Sequence, residues 1–188
     1  EGLRRLSLIL SRMSEAVRLE QSLAATDREA YDLVPVVRGC VEGYRASSPG
    51  REITLGEPGE PLVVVGSPDL VALLLDKLVD NALGFARPGS AVEVELHRYG
   101  RTGTLSVRNE GKPLPASMDG RLFESMVSVR PDAGAGDAAR GPHLGLGLYI
   151  VRLVAEFHGG SAGAHDRPDG RGVIVTVTLP LSRSPGRG

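Results

Sequence analysis

The chain has 188 residues, 41 % hydrophobic and only 4 % aromatic with no Trp, so it can bury one ordinary core and that core must be aliphatic. A formal net charge of −1 gives no electrostatic ground for nucleic-acid binding or a membrane surface. The one cysteine, Cys40, excludes an internal disulfide framework and fits a reducing compartment, and no apolar run reaches membrane-spanning length.

Residues 1–25 read as one amphipathic helix. Leu6, Ile9, Met13, Ala16 and Leu23 recur at three- and four-residue spacing, with Arg4, Arg5, Arg12, Glu15 and Arg18 on other faces. Such a helix either packs on the domain behind it or forms half of a hairpin that pairs with a second chain. The stripe starts at residue 3, and residue 1 is Glu, not Met, which favours the hairpin and a piece of a longer protein. Asp32 caps a helix predicted to reach about Tyr44 and to end at Ser47-Ser48-Pro49-Gly50. Short strands are expected at Ile53–Leu55 and Leu62–Val65, around the turn residues Pro58-Gly59. Ser67-Pro68, an N-cap followed by proline at the first helical position, opens a helix to about Phe85.

Val92–His97 and Thr104–Arg108 alternate with period two and predict a hairpin around Tyr99–Gly103, followed by a short apolar segment at Leu122–Val127. Residues 128–142, rich in Gly, Ala, Asp and Pro, predict a mobile loop. A glycine-opened helix runs from about Gly145 to His158. Strands at Ser161–His165 and Gly172–Leu179 flank the turn Pro168-Asp169-Gly170, and residues 182–188 read as a disordered tail. This order predicts an α+β two-layer sandwich, a mixed and mostly antiparallel sheet with helices on one face, plus the N-terminal helix.

Four segments carry the chemistry. Gly145-Leu146-Gly147-Leu148 leads straight into an apolar helix, so backbone N–H groups at its positive end can face phosphate. Asn81 lies beside the apolar stripe Leu74, Leu75, Leu78, Val79 and Ala82. It is either a core-satisfying amide or a neutral oxygen ligand for Mg2+, an ion usually held by few protein groups and by substrate phosphates. Asn109-Glu110-Gly111 directly follows a strand. It reads as a plain turn, or as a site where the Asn109 amide pairs with adenine and Gly111 admits the purine close to the backbone. Arg130, just past Phe123-Glu124, is a candidate phosphate contact.

In this order the segments resemble the catalytic ATP-binding domain of bacterial sensor histidine kinases, within the superfamily that includes gyrase, Hsp90 and MutL. The likeness spans about Asp32 to Pro180. Asp80-Asn81-Ala82 is similar to the asparagine box, Asn109-Glu110-Gly111 to the first glycine box, Leu122-Phe123-Glu124 to the phenylalanine box, and Gly145-Leu146-Gly147-Leu148 to the second glycine box. His158-Gly159-Gly160 and Gly172–Pro180 resemble the closing strand pair. The resemblance implies a catalytic domain at 32–181 and, at 1–25, the second helix of a dimerisation and phosphoacceptor hairpin. It implies ATP and Mg2+ as cofactors, with Asn81 on the metal. ATP contacts would be Asn81, Lys77, Asn109, Gly111, Arg130, Gly145, Gly147 and Leu148.

Departures from the pattern are specific. Asn109 stands where the family usually has Asp, Pro113 where it has glycine, Lys77 where it has Asn, Gly84 where it has lysine, and His143 where the second glycine box opens. Lys77, one helical turn from Asn81, can restore the phosphate charge lost at Gly84. Hydrolytic members of the superfamily carry a glutamate general base at the position of Lys77, so phosphotransfer is favoured over an ATP-hydrolysing switch. None of His97, His143, His158 or His165 lies in the helical context expected of a phosphoacceptor, which the resemblance therefore puts upstream of residue 1. The implied partners are a second copy of the chain and a response regulator, with no nucleic acid. The piece is expected to be soluble and cytoplasmic, and its parent anchored in the bacterial inner membrane. The alternative is a degenerate, nucleotide-free domain that serves as a dimerisation or signalling scaffold.

Overall fold

The computed structural model describes residue 14 and residues 16–114, 122–124 and 146–182. Its strands are β1 (Glu29–Asp32), β2 (Ile53–Gly56), β3 (Val63–Gly66), β4 (Val92–Tyr99), β5 (Thr102–Glu110), β6 (Ser161–Asp166) and β7 (Gly172–Pro180). The helices are α1 (16–23), α2 (Leu33–Ser47), α3 (Pro68–Phe85) and α4 (Leu146–Phe157). Five strands form one sheet in the order β2-β4-β5-β7-β6, with β2 and β4 parallel and the other neighbours antiparallel. β1 and β3 pair antiparallel in a separate two-stranded ribbon.

The two-layer prediction holds because the strand alternation is one-sided. Val92, Val94 and Leu96 of β4, Leu105 and Val107 of β5, and Val175, Val177 and Leu179 of β7 are buried under α2, α3 and α4. The opposite face carries ion pairs: Arg108 Nη2 to Glu95 Oε2 at 2.7 Å and Arg167 Nη1 to Glu93 Oε1 at 3.3 Å. No second layer covers such a face readily, since burying those charges is costly. α2 packs near β2, α3 over β4 and β5, and α4 beside β6 and β7, so α3 is the central helix with a neighbour on each side.

Helix starts follow their caps. Asp32 Oδ1 accepts from the Val34 N–H at 3.1 Å and from the Leu62 N–H at 3.0 Å, so one carboxylate starts α2 and ties it to the residue before β3. Ser67 Oγ accepts from the Leu70 N–H, with Pro68 at the first position of α3. α2 continues past Tyr44 to Ser47, and the Ser48 N–H closes on the Tyr44 carbonyl at 3.0 Å.

Three features differ from the sequence expectation. β1 was not anticipated, because Glu29-Ala30-Tyr31-Asp32 lacks alternation and becomes a strand only through its ladder with β3. β4 and β5 extend further towards each other, to Tyr99 and from Thr102, because Gly100 takes φ +60° and allows a tighter turn. Leu122–Glu124, expected as part of an apolar segment, form a turn and a bend. In α1, Ala16 and Leu19 are buried against the domain itself, and the Tyr149 hydroxyl of α4 donates to Glu20. Residues 1–13, most of the predicted hairpin helix, lie outside the described residues, as do the predicted loop 128–142 and the tail from 183.

Candidate functional site

Asn109 stands on the helix-facing side of β5, next in the alternation after Leu105 and Val107, where an apolar residue is expected. It is 4 % exposed. Its neighbours across the sheet are Val92 and Val173, neither of which offers a side-chain partner. Its Nδ2 donates to the Glu110 carbonyl at 3.3 Å, and Oδ1 accepts no hydrogen bond from any described residue. Oδ1 is not one of the fully buried side-chain atoms that lack a partner, so it keeps some access to solvent. A ligand donor can take the place of that solvent.

Gly111 explains how the end of β5 meets α3. A Cβ there would lie 2.4 Å from the Phe85 carbonyl oxygen and 3.2 Å from Asn109 Nδ2, so no side chain fits. The neighbouring backbone is held by Arg87 N–H to the Glu110 carbonyl at 2.7 Å and by Gly111 N–H to the Arg171 carbonyl at 3.1 Å. Beyond it, the Leu114 N–H is held by Asp166 Oδ1 at 2.7 Å.

From Phe85, four-residue steps back along α3 reach Asn81 and then Lys77 on one stripe, all three half-buried. Each step is about 6 Å. The Asn81 side chain makes no hydrogen bond among the described residues. Lys77 keeps 22 % of its side chain exposed and lies 4.0 Å from Asp76 Oδ2. At this end of the stripe α4 begins: a Cβ on Gly147 would sit 3.9 Å from Lys77 Cβ. The stripe on α3 therefore joins Gly111 and Asn109 at one end to Gly147 at the other.

The first turn of α4 holds no acidic residue, so nothing there opposes an anion at the positive end of the helix. Leu148 packs its side chain on the core, so only its backbone N–H can serve a ligand. Among the described residues no group of three or more His, Cys, Asp or Glu could hold a metal ion. A Mg2+ at Asn81 thus fits only as an ion held chiefly by phosphate oxygens. Arg130, His143 and Gly145 lie outside the described residues. Lys77, Asn81, Asn109, Gly111, Gly147 and the backbone of Leu148 come together around one side of α3.

Sequence reasoning missed a second polar cluster, at the other end of the α3–α4 pair. His158, 4 % exposed, follows α4 directly. Its Nε2 lies 3.1 Å from the Ser67 N–H, an obligate donor, so Nε2 accepts and the proton sits on Nδ1, which donates to the Val154 carbonyl at 2.8 Å. The Tyr31 hydroxyl reaches both His158 Nε2 at 3.1 Å and the Ser67 carbonyl at 3.3 Å. Burial, aided by Arg28, pushes the imidazole below the ordinary histidine value and keeps it neutral. Burial likewise raises the Tyr31 phenol. The one sequence signal for this cluster was a histidine at a helix end with glycines on both flanking elements.

Comparison with known proteins bears on the family and the fold. Residues 66–183 match the family described as Histidine kinase-, DNA gyrase B-, and HSP90-like ATPase. Sensor protein ChvG of Agrobacterium fabrum (strain C58) is 30 % identical over 194 residues, covering 96 % of this chain and 32 % of that protein. The chain therefore spans about a third of the length of this curated relative. The mycobacterial sensor histidine kinase MprB superposes with a TM-score of 0.68 at 23 % identity, over 84 % of this chain and 99 % of that one. The Acinetobacter baumannii histidine kinase AdeS gives 0.68 at 19 % identity, over 97 % and 83 %.

Proposed function

Since the chain belongs to the histidine kinase-, DNA gyrase B- and HSP90-like ATPase family, we propose that it is the ATP-binding catalytic part of a two-component sensor histidine kinase. In this reading residues 32–181 form the catalytic domain and residues 1–25 the second helix of a dimerisation hairpin. The parent dimerises through that hairpin, is anchored in a membrane, and passes its phosphoryl group to a response regulator. Among the described residues no helix is long and apolar enough to cross a membrane.

Adenine lies against Asn109, its amino group donating to Oδ1 and a ring nitrogen accepting from Nδ2. Gly111 would let the purine approach the backbone; the place of its own Cβ is filled by the Phe85 carbonyl, so the packing of β5 on α3 requires glycine there as well. The phosphates run along the α3 stripe towards Lys77 and the N–H groups of Gly147 and Leu148, with Gly145 and Arg130 as further contacts. Asn81 would hold Mg2+, which when bound supplies charge neutralisation at the phosphates. The γ-phosphoryl group passes to an imidazole nitrogen of the upstream histidine: the bond to the β-phosphate oxygen breaks, the N–P bond forms, and ADP leaves. Positioning and charge neutralisation carry most of such a transfer.

The observation that carries the reading is Asn109, a 4 % exposed amide on an apolar strand face whose oxygen accepts no hydrogen bond from the described residues and is not fully shut off from solvent, beside a glycine that cannot be larger. Calorimetry with ATP–Mg2+ tests it. Saturable binding that Asn81→Ala makes independent of Mg2+ is the expected result. No heat at millimolar nucleotide would instead favour the nucleotide-free scaffold.

A further inference from the structure

His158 touches none of the groups assigned to the nucleotide, yet it joins the two helices that carry them. Its ring receives the N–H of Ser67, the N-cap residue of α3, and donates to the Val154 carbonyl in the last turn of α4, which also accepts the His158 backbone N–H. At about 1.5 Å of rise per residue, Lys77 lies about 15 Å along α3 from Ser67, and Gly147 about 16 Å along α4 from His158. The helices thus run antiparallel, clamped at one end and facing each other across Lys77 and Gly147 at the other.

We propose that His158 is a positioning residue for the nucleotide. By bonding Ser67 and Val154 at once it fixes where α3 stands against α4, and hence how Lys77 packs against the start of α4 at Gly147, the two groups assigned to the phosphates. The inference rests on the nucleotide reading above. The side chain is well matched to the task, since a neutral imidazole presents an acceptor and a donor at opposite ends of one rigid ring. It has no freedom to shift either: a Cβ on Gly66 would lie 2.0 Å from its Cδ2, so β3 backs directly on the ring. The Tyr31 hydroxyl fastens the ring from β1.

Two variants separate the bonds. In His158→Gln the side-chain amide reaches the place of Nε2 and keeps a partner for Ser67. In His158→Asn it reaches only the place of Nδ1 and leaves the Ser67 N–H unmet. Both are titrated with ATP–Mg2+, inorganic tripolyphosphate and adenosine, at a temperature where circular dichroism shows them folded. His158→Asn is expected to lose about tenfold in affinity for ATP and tripolyphosphate and nothing for adenosine, and His158→Gln to stay within about threefold of the parent protein. Equal affinity in the parent and in folded His158→Asn would overturn the proposal.

Hydrogen exchange on the parent protein needs no variant. Coupling is reciprocal, so saturating ATP–Mg2+ should slow exchange of the Ser67 amide by the same factor of about ten. Exchange that nucleotide leaves unchanged would overturn the proposal even if His158→Asn failed to fold. A parent protein that binds no nucleotide at all would remove the underlying reading, and this inference with it.

Discussion

The two ends of the α3–α4 pair meet the same problem, polar groups at helix termini inside a packed domain, and resolve it differently. At the Ser67–His158 end each polar group has a protein partner: imidazole, phenol, N-cap N–H and last-turn carbonyl close on one another. Away from it, along the stripe from Lys77 and Gly147 to Phe85 and Gly111, Asn81 has no partner among the described residues, Asn109 has one bond for its whole amide, and the first turn of α4 carries no acidic residue. The closed end specifies how the helices pack. The other region leaves hydrogen-bonding capacity unspent in Asn81 and Asn109, as a few placed polar groups do in a ligand site. Stability and binding should therefore separate by location.

The largest effect is expected from filling the closed end. A Cβ on Gly66 meets the His158 ring at 2.0 Å, and one on Gly160 meets the Thr178 carbonyl at 2.0 Å. Overpacking together with broken hydrogen bonds should cost at least about 3 kcal/mol in Gly66→Ala or Gly160→Ala. In a domain of this size that is a fall in Tm of about 10 °C, or failure to fold, by thermal melting. A melt within about 2 °C of the parent would break the comparison at its rigid end.

Next comes Asn109→Ala at the other end. It should weaken ATP by about tenfold or more, a loss of about 1.4 kcal/mol or more. Its Tm should hardly move, because a group that is poorly paired in the free protein contributes little to folding. Calorimetry and melting on one sample decide it. A large fall in Tm with affinity intact would reverse the roles given to the two ends.

Acid should act on the closed end. The folded protein holds His158 below its unfolded value near 6.5, so folding disfavours the protonated ring. Stability is then fully present above about pH 6.5 and declines as pH falls through that value towards the folded one. Arg28, whose guanidinium lies 4.4 Å from the Phe157 ring centroid, opposes protonation further, while Glu29 is the acidic neighbour on β1. Melting between pH 8 and 5 should show a decline that His158→Gln reduces. The smallest effect belongs to Arg38→Ala, whose partner Glu57 lies on the surface, away from both ends. Neither Tm nor ATP affinity should change measurably, because exposed pairs contribute little.

These contrasts also mark what could be read without coordinates. α3 was legible from end to end because Ser67-Pro68 and Pro88-Gly89 bracket an apolar stripe, all of it local information. β4 was legible because Val92, Val94 and Leu96 alternate with Glu93, Glu95 and His97. β1 was not, since its reason to be extended lies in Val63–Gly66, far along the chain. The candidate site was legible as Asn81, Asn109, Gly111 and Gly147, because asparagines and glycines in apolar surroundings stand out. That Phe85 and Gly111 touch, and that Lys77 abuts Gly147, follows only from the packing of α3 against β5 and α4. The His158 cluster left only a histidine at a helix end as a signal, and its partners were illegible, since the bonds to Ser67 and Tyr31 span 91 and 127 residues of sequence.

The most direct test of a nucleotide lodged along the α3 stripe is a residue-resolved NMR titration with two halves of the ligand. Adenosine should shift the Asn109 side-chain amide and leave the Gly147 N–H unmoved. Tripolyphosphate with Mg2+ should shift Gly147 and Asn81 and spare Asn109, and ATP–Mg2+ should move all three with one dissociation constant. If ATP–Mg2+ binds while Asn109, Asn81 and Gly147 stay still, the nucleotide lies elsewhere and the account of this site is wrong.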